Sequence, residues 1–145
     1  MEQLAGDRTA IALYDAGDLE FLAVSHMTEA RFAASALAQR RTSLQPRNAG
    51  GTPYYVSSNP ATRRTVAFAF RGEWAILGTK ESLVAECLQR MASAQANGLG
   101  SEEWYTRAVR SSTAEGELRL VTSIDALYAS PHFRSYWIHR NRAEL

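Results

Sequence analysis

The chain has 145 residues, of which 46% are apolar and 21% charged, values that fit a single globular domain with a sizeable core. Its net charge of +1 offers no general attraction to nucleic acid or to anionic membranes. No apolar run approaches the ~20 residues of a membrane span, and the first ten residues lack the basic and apolar regions of a signal peptide, so we expect a soluble chain.

The first third of the chain predicts a hairpin, a helix and a loop. Residues 9–14 and 19–26 are short and rich in β-forming residues, and the turn-like "DAGD" between them indicates an antiparallel hairpin. Residues 28–41 predict one helix, since Thr28 can cap it and apolar residues recur at helical spacing. Glycine, proline and asparagine in "QPRNAGGTP" indicate that residues 45–53 form a loop.

The middle of the chain predicts three strands, at residues 54–58, 65–70 and 73–78, followed by a helix. In "TVAFAF" the large side chains alternate with small ones, so Phe68 and Phe70 share one face. Thr79 can cap the following helix, whose predicted buried stripe includes Val84 and Leu88. A short helix at 101–112, a strand at 116–123 and helices at 124–129 and 131–141 complete the predicted order.

This order predicts an α+β fold. Closely spaced hairpins favour a mostly antiparallel sheet of about five to six strands, and helices inserted between them must cover it. We therefore expect one domain over residues 1–145, a two-layer sandwich with its helices packed on one face of the sheet.

The densest group of chemically distinctive residues is "SPHFRSYWIHRN", residues 130–141. Ser130 followed by Pro131 is a favourable helix start, and the aromatic side chains at helical spacing are explained by packing alone. As a binding surface, this helix would use four side chains, His132, Arg134, Tyr136 and His139.

Catalytic and metal chemistry find little support in the sequence. The histidines of the last helix are seven residues apart, whereas zinc ligands on a helix are typically four apart and need a third ligand. Cys87, the only cysteine, falls on an apolar helix stripe, and no G-x-S-x-G turn is present. The sequence therefore predicts no catalytic residue, no metal site, no cofactor and no enzyme activity.

RNA binding is weighed on "RTVAFAFR", residues 64–71, which matches the RNA-recognition signature only in part. Arg64, Ala67 and Phe68 agree with it, but the aromatic residue expected at the third position is missing. We expect Phe68 and Phe70 to be core residues and expect no nucleic-acid partner.

Four segments carry a resemblance to a known domain: "GTPYYVSSN", "TVAFAFRGEWAILGTKESLVAECL", "SEEWYTRAV" and "LRLVTSIDALYASPHFRSYWIHRNRAEL". From about Tyr54 onward the chain resembles a domain without an assigned activity in large bacterial proteins, notably acidobacterial ones; "FRSYW" is the most specific part. The resemblance implies that the chain is a piece of a longer protein with an extracytoplasmic setting. It supplies no catalytic residue.

The sequence thus predicts a noncatalytic structural or protein-interaction module of a larger protein. Its expected partners are the remainder of a longer chain or a second copy that packs against the aromatic face of the last helix. The alternative is a domain that binds a small ligand or an anion through residues 130–141.

Overall fold

The computed structural model describes residues 6–62, 64–93, 98–111 and 118–138, with residues 137 and 138 described by their backbone alone. The chain divides into two compact units, Met1–Ala94 and Gln95–Leu145. In the described residues, every strand belongs to the first unit, while the second contains short helices. The prediction of a single domain over residues 1–145 stays a prediction.

The first unit is built on one six-stranded sheet in which all neighbouring strands are antiparallel. Its strand order is β1-β2-β6-β5-β4-β3. The predicted α+β fold with an antiparallel sheet is confirmed. The strands are β1 (Arg8–Asp15), β2 (Glu20–His26), β3 (Arg47–Ala49), β4 (Thr52–Asn59), β5 (Arg64–Arg71) and β6 (Trp74–Gly78).

Four hairpins and one return pairing produce this order. β1 pairs with β2, while β3 to β6 form a meander in which Gly72, with φ of 60°, makes the tight turn between β5 and β6. The meander brings β6 back to β2, with Val24 opposite Ile76. Residues 45–53 were predicted to be a loop, but residues 47–49 form β3 by pairing with the start of β4.

Residues 28–41 form two short helices and a 3-10 turn rather than the one predicted helix. Thr28 caps α1 (Glu29–Ala33) as expected, its hydroxyl accepting from the Arg31 N–H at 3.3 Å. Ser35 then caps α2 (Ala36–Arg40), its hydroxyl accepting from the Ala38 N–H at 3.3 Å. A serine hydroxyl favours a helix start because it accepts a hydrogen bond from a backbone N–H of the first turn. At Ser35 this divides the predicted helix in two.

Helices cover both faces of the sheet, which corrects the prediction of helices on one face. On the first face, α3 (Glu81–Ala92) packs Val84 and Leu88 onto small residues of the central strands. Ala67 and Ala69 are fully buried there, and a Cβ at Gly78 would lie 2.9 Å from Val84 Cγ2. Small side chains let a helix approach the sheet closely, so the alanine side of β5 is as buried as the side that contains Phe68.

On the second face, α1 and α2 cover the bulky side of β5 and β6. Phe68 is 1% exposed, and the rings of Phe32 and Phe70 stack with centroids 4.7 Å apart. Phe68 is thus a core residue as predicted, and Phe70 packs half-buried against the same core.

The described residues of the second unit form a 3-10 turn (Leu99–Ser101) and four short helical segments. The predicted strand at 116–123 does not form over its described part, since residues 118–123 have no regular structure and Leu118 is 90% exposed. A strand needs a neighbouring strand to bond its backbone, and residues 118–123 pair with none. The helical segments are α4 (Glu103–Ser111), α5 (Ile124–Ala129), α6 (Pro131–Phe133) and a π-helical turn (Arg134–Ile138).

None of the helices in the described residues is both long enough and apolar enough to cross a bilayer.

Candidate functional site

The segment after Ser130 is helical, with Pro131 at the first helical position as predicted. Its start has no side-chain cap, and the helix widens to a π turn from Arg134 onward. Tyr128 contacts Phe133 with ring centroids 5.7 Å apart, and Phe133 is half-buried. Packing therefore accounts for at least one of the aromatic residues.

Of the four predicted binding residues, the structure brings two together. The rings of His132 and Tyr136 lie parallel, with centroids 5.9 Å apart and 4° between their planes, and both side chains are exposed. Arg134 is exposed too, but side chains two residues apart on a helix do not face each other. His139 lies outside the described residues. An exposed stack on one helix provides a flat surface.

The remaining histidine, His26, ends β2 and contacts the residues just before β1 and β6. His26 Nδ1 lies 2.7 Å from Asp7 Oδ1, and its Nε2 lies 3.4 Å from Glu73 Oε2. The Trp74 ring meets the imidazole edge-on at 4.9 Å. The hydrogen bond to Asp7 is the largest of the effects that raise the pKa of His26 above its ordinary value.

Both ring nitrogens of His26 are engaged in this arrangement. A general base needs one ring nitrogen free to accept a proton, whereas a carboxylate lies beside each nitrogen of His26. Asp7, His26 and Glu73 are far apart in the chain, so no local pattern could have found this group.

A carboxylate at the start of α3 fastens the β3 side of the sheet. Glu81 forms an ion pair with Arg47 of β3, and its other oxygen accepts a hydrogen bond of 2.7 Å from the Tyr54 hydroxyl of β4. Arg47 first, and then Tyr54, hold the pKa of Glu81 below its ordinary range. The same hydrogen bond raises the pKa of Tyr54. We call this group, Arg47, Tyr54 and Glu81, the Glu81 clasp.

Thr79 does not cap α3, contrary to the prediction. Lys80 occupies the N-cap position, and its side chain makes no capping hydrogen bond. The Thr79 hydroxyl instead donates to the Leu19 carbonyl and accepts from the Phe21 N–H, both at 2.9 Å. Lys80 bonds to Glu20 at 2.8 Å, so the residues before α3 tie it to the β1–β2 hairpin.

Cys87 shows no sign of activation. It is half-buried against the core of the first face, and burial raises the pKa of its thiol. A nucleophilic cysteine needs the opposite shift, toward the thiolate. Across the part of the chain that the structure describes, no group of three or more histidine, cysteine, aspartate or glutamate side chains is placed to hold a metal ion.

An exposed apolar surface lies at the β1 edge of the second face. Ile11 and Leu13 are 70% and 62% exposed, and they stand opposite Ala23 and Phe21 of β2. These four side chains share a face with Leu77, where the α1–α2 core begins. We call Ile11, Leu13, Phe21 and Ala23 the open apolar face. The sequence analysis placed these residues in a hairpin but did not predict that they stay uncovered.

Comparison with known proteins adds no relative. No family model, no curated protein and no solved structure matches this chain. The resemblance to a bacterial domain therefore stays a prediction.

Proposed function

We propose that this chain is a noncatalytic protein-interaction module whose contact surface is the open apolar face. The observation that carries the proposal is the exposure of Ile11 and Leu13 beside residues that continue into the core. Contiguous exposed apolar surface at such a place is typical of a site that another chain covers.

The side chains most suited to catalysis support this proposal, because each is bound in a contact that holds the fold together or is shifted away from its reactive form. His26 has a carboxylate at each ring nitrogen, and Glu81 binds both Arg47 and Tyr54. The Cys87 thiol is shifted away from its reactive form. These contacts hold strands and α3 together, which is a structural role.

The proposal is tested by panning a random-peptide library against the purified chain. We expect enriched apolar peptides to bind with micromolar affinity, and the double variant Ile11→Thr/Leu13→Thr to weaken binding at least tenfold. Threonine suits a strand, so this variant should keep its stability within about 1 kcal/mol of the parent.

The matched control is His132→Ala/Arg134→Ala, which changes the alternative binding helix and should leave peptide binding unaltered. Calorimetry against a panel of small metabolites and anions completes the test. A small molecule that binds the parent chain but not this control variant, together with no enriched peptide, would replace the proposal with the ligand-binding alternative.

A further inference from the structure

The directions of the backbone hydrogen bonds in β2 follow from contacts at its two ends. The Thr79 N–H donates to the Phe21 carbonyl at 3.1 Å, and the Met27 N–H donates to the Glu73 carbonyl at 2.9 Å. Odd-numbered residues here therefore bond toward β6. Because bonding alternates along an antiparallel strand, the even-numbered residues of β2 bond toward β1.

The same alternation fixes which groups lie on the outer edge of β1. The register pairs the even-numbered residues of β2 with residues 8, 10 and 12 of β1. The N–H and C=O groups of Thr9, Ile11 and Leu13 consequently point away from β2. In the described part of the chain, no strand continues the sheet beyond them.

This edge lacks most of the features that usually prevent strand addition, and its register shift, between Leu13 and Asp15, lies at the end of the outward residues. Residues 9–14 include no charged residue and no proline, and their strand is eight residues long. Ile11 and Leu13 place apolar side chains beside the outward backbone groups, on the second face. A partner strand would therefore gain hydrogen bonds and apolar contact together.

We propose that β1 pairs antiparallel with β1 of a second copy of this chain, with Ile11 opposite Ile11 of that copy. The inference rests on the proposed function, since it names the occupant of the open apolar face. A twofold axis perpendicular to the sheet keeps equivalent faces on one side, so the two open apolar faces merge. In this register all three outward residues pair, because Thr9 of each copy meets Leu13 of the other.

Charge favours the antiparallel orientation and a copy of this chain as the partner. β1 begins with Arg8 and ends with Asp15, and the residues between them carry no charge. In this register Arg8 of each copy lies one position from Asp15 of the other, whereas parallel pairing would place arginine beside arginine. Asp7, which comes opposite Asp15, is already paired with its own His26. A single pair of strands is a small interface, so we expect a weak dimer, half-formed at on the order of 100 µM.

Amide hydrogen exchange at low and high protein concentration tests the pairing directly. We expect the amides of Thr9, Ile11 and Leu13 to become at least tenfold slower in exchange at high concentration. The amides of Ala10 and Ala12, already bonded to β2, should be slow at both concentrations. Ile11→Lys should abolish dimerisation in sedimentation, while Asn48→Lys, the same added charge on the β3 edge, should not.

Cysteine cross-linking tests the register in a Cys87→Ala background. Ala10 of one copy should lie opposite Ala12 of the other, at a Cα distance of about 4.5 Å that a disulfide can bridge. A mixture of Ala10→Cys and Ala12→Cys chains should therefore cross-link under mild oxidation, and each variant alone should cross-link far less.

The possible outcomes separate this inference from the proposed function. A dimer that cross-links through Ala12→Cys alone, or that survives Ile11→Lys, overturns the proposed pairing. A chain that stays monomeric to millimolar concentration overturns it too. If library peptides nevertheless bind and slow the exchange of the Thr9, Ile11 and Leu13 amides, the open apolar face is an interaction surface with a different occupant.

Discussion

The six-stranded sheet ends on one side in β3 and on the other in β1, and the two edges differ in almost every respect. β3 has three residues, begins with the exposed Arg47 and is tied to α3 by the Glu81 clasp. β1 has eight residues and carries exposed apolar side chains. A short strand held by charged contacts resists the addition of another strand, whereas a long apolar one invites it.

The difference extends to what lies above each edge. The Arg71 guanidinium donates to the carbonyls of Gly50 and Leu88, at 3.0 and 3.3 Å, so the β3–β4 turn is joined to α3. At the β1 edge, Asp7 and Thr9 contact His26 and Ser25 near the start of the strand, and Lys80 bonds Glu20 of the neighbouring β2. The β3 edge is thus part of the packed core, and the centre of β1 is left available.

The largest expected effect comes from breaking the close packing at the β3 edge. Gly50 has φ of 55°, and a Cβ there would lie 2.4 Å from the Leu88 carbonyl oxygen. We expect Gly50→Ala to lower the free energy of unfolding by roughly 2–4 kcal/mol, from backbone strain and displacement of α3.

Gly51→Ala is the matched control, since Gly51 has φ of 74° but nothing within 4 Å of its Cβ position. It should cost only the conformational strain, about 1–2 kcal/mol. Equal losses for the two variants in urea unfolding would show that α3 does not hold the β3–β4 turn closely.

A smaller effect is expected from the Glu81 clasp. Glu81→Gln should lower the free energy of unfolding at neutral pH by about 1 kcal/mol, because the ion pair with Arg47 is lost while Tyr54 keeps an acceptor. The pKa of Glu81 is lowered by folding, so the advantage of the parent chain is present above the ordinary value of 4.5. It should disappear as pH falls through the lowered pKa.

Urea unfolding of both chains at a series of pH values measures this difference. Glu86→Gln, at an exposed position of the same helix, should change stability by no more than about 0.5 kcal/mol. A loss as large as that of Glu81→Gln would mean that the net charge of α3, rather than the clasp, is responsible.

The smallest effect concerns the β1 end, where His26 bonds Asp7. The pKa of His26 is raised by folding, chiefly by the hydrogen bond to Asp7, so its stabilising contribution is fully present below the ordinary value of 6.5. The contribution should be lost as pH rises through the raised pKa. Thermal unfolding from about pH 5 to pH 9 should show this loss in the parent chain and a flatter profile in His26→Gln.

Asp7→Asn removes the main partner of His26 and should flatten the profile in the same way. An unchanged profile in both variants would show that the ion pair does not fasten β1. Asp7, His26 and Glu73 are exposed or only half-buried, so substitutions at this edge should change stability less than those at the β3 edge.

The fold class and five of the six strands could be predicted because they depend on local sequence patterns. Alternation along residues 65–70 identified β5 and the bulky side that contains Phe68, and turn residues separated the hairpins. The candidate site could be predicted only in part. The stack of His132 on Tyr136 follows from helical spacing, while the open apolar face depends on which elements happen to cover the sheet.

The wrong predictions have a common physical cause. The helix over residues 28–41 was predicted from apolar spacing, but Ser35 is fully buried and its hydroxyl begins a new helix. Residues 118–123 have the composition of a strand, yet a strand exists only where a neighbour bonds its backbone. β3 was missed for the converse reason, since pairing with β4 makes a strand of loop-like residues.

The sequence by itself determined the periods of apolar residues, and these determined the strands, the antiparallel hairpins and the buried position of Phe68. Tertiary structure alone decided that α3 covers the alanine side of β5 and that β6 returns to β2. It also placed His26 between Asp7 and Glu73 and left Ile11 and Leu13 exposed. Periodicity records which side of a strand is apolar, but only the path of the chain brings distant residues together and decides which apolar sides become covered.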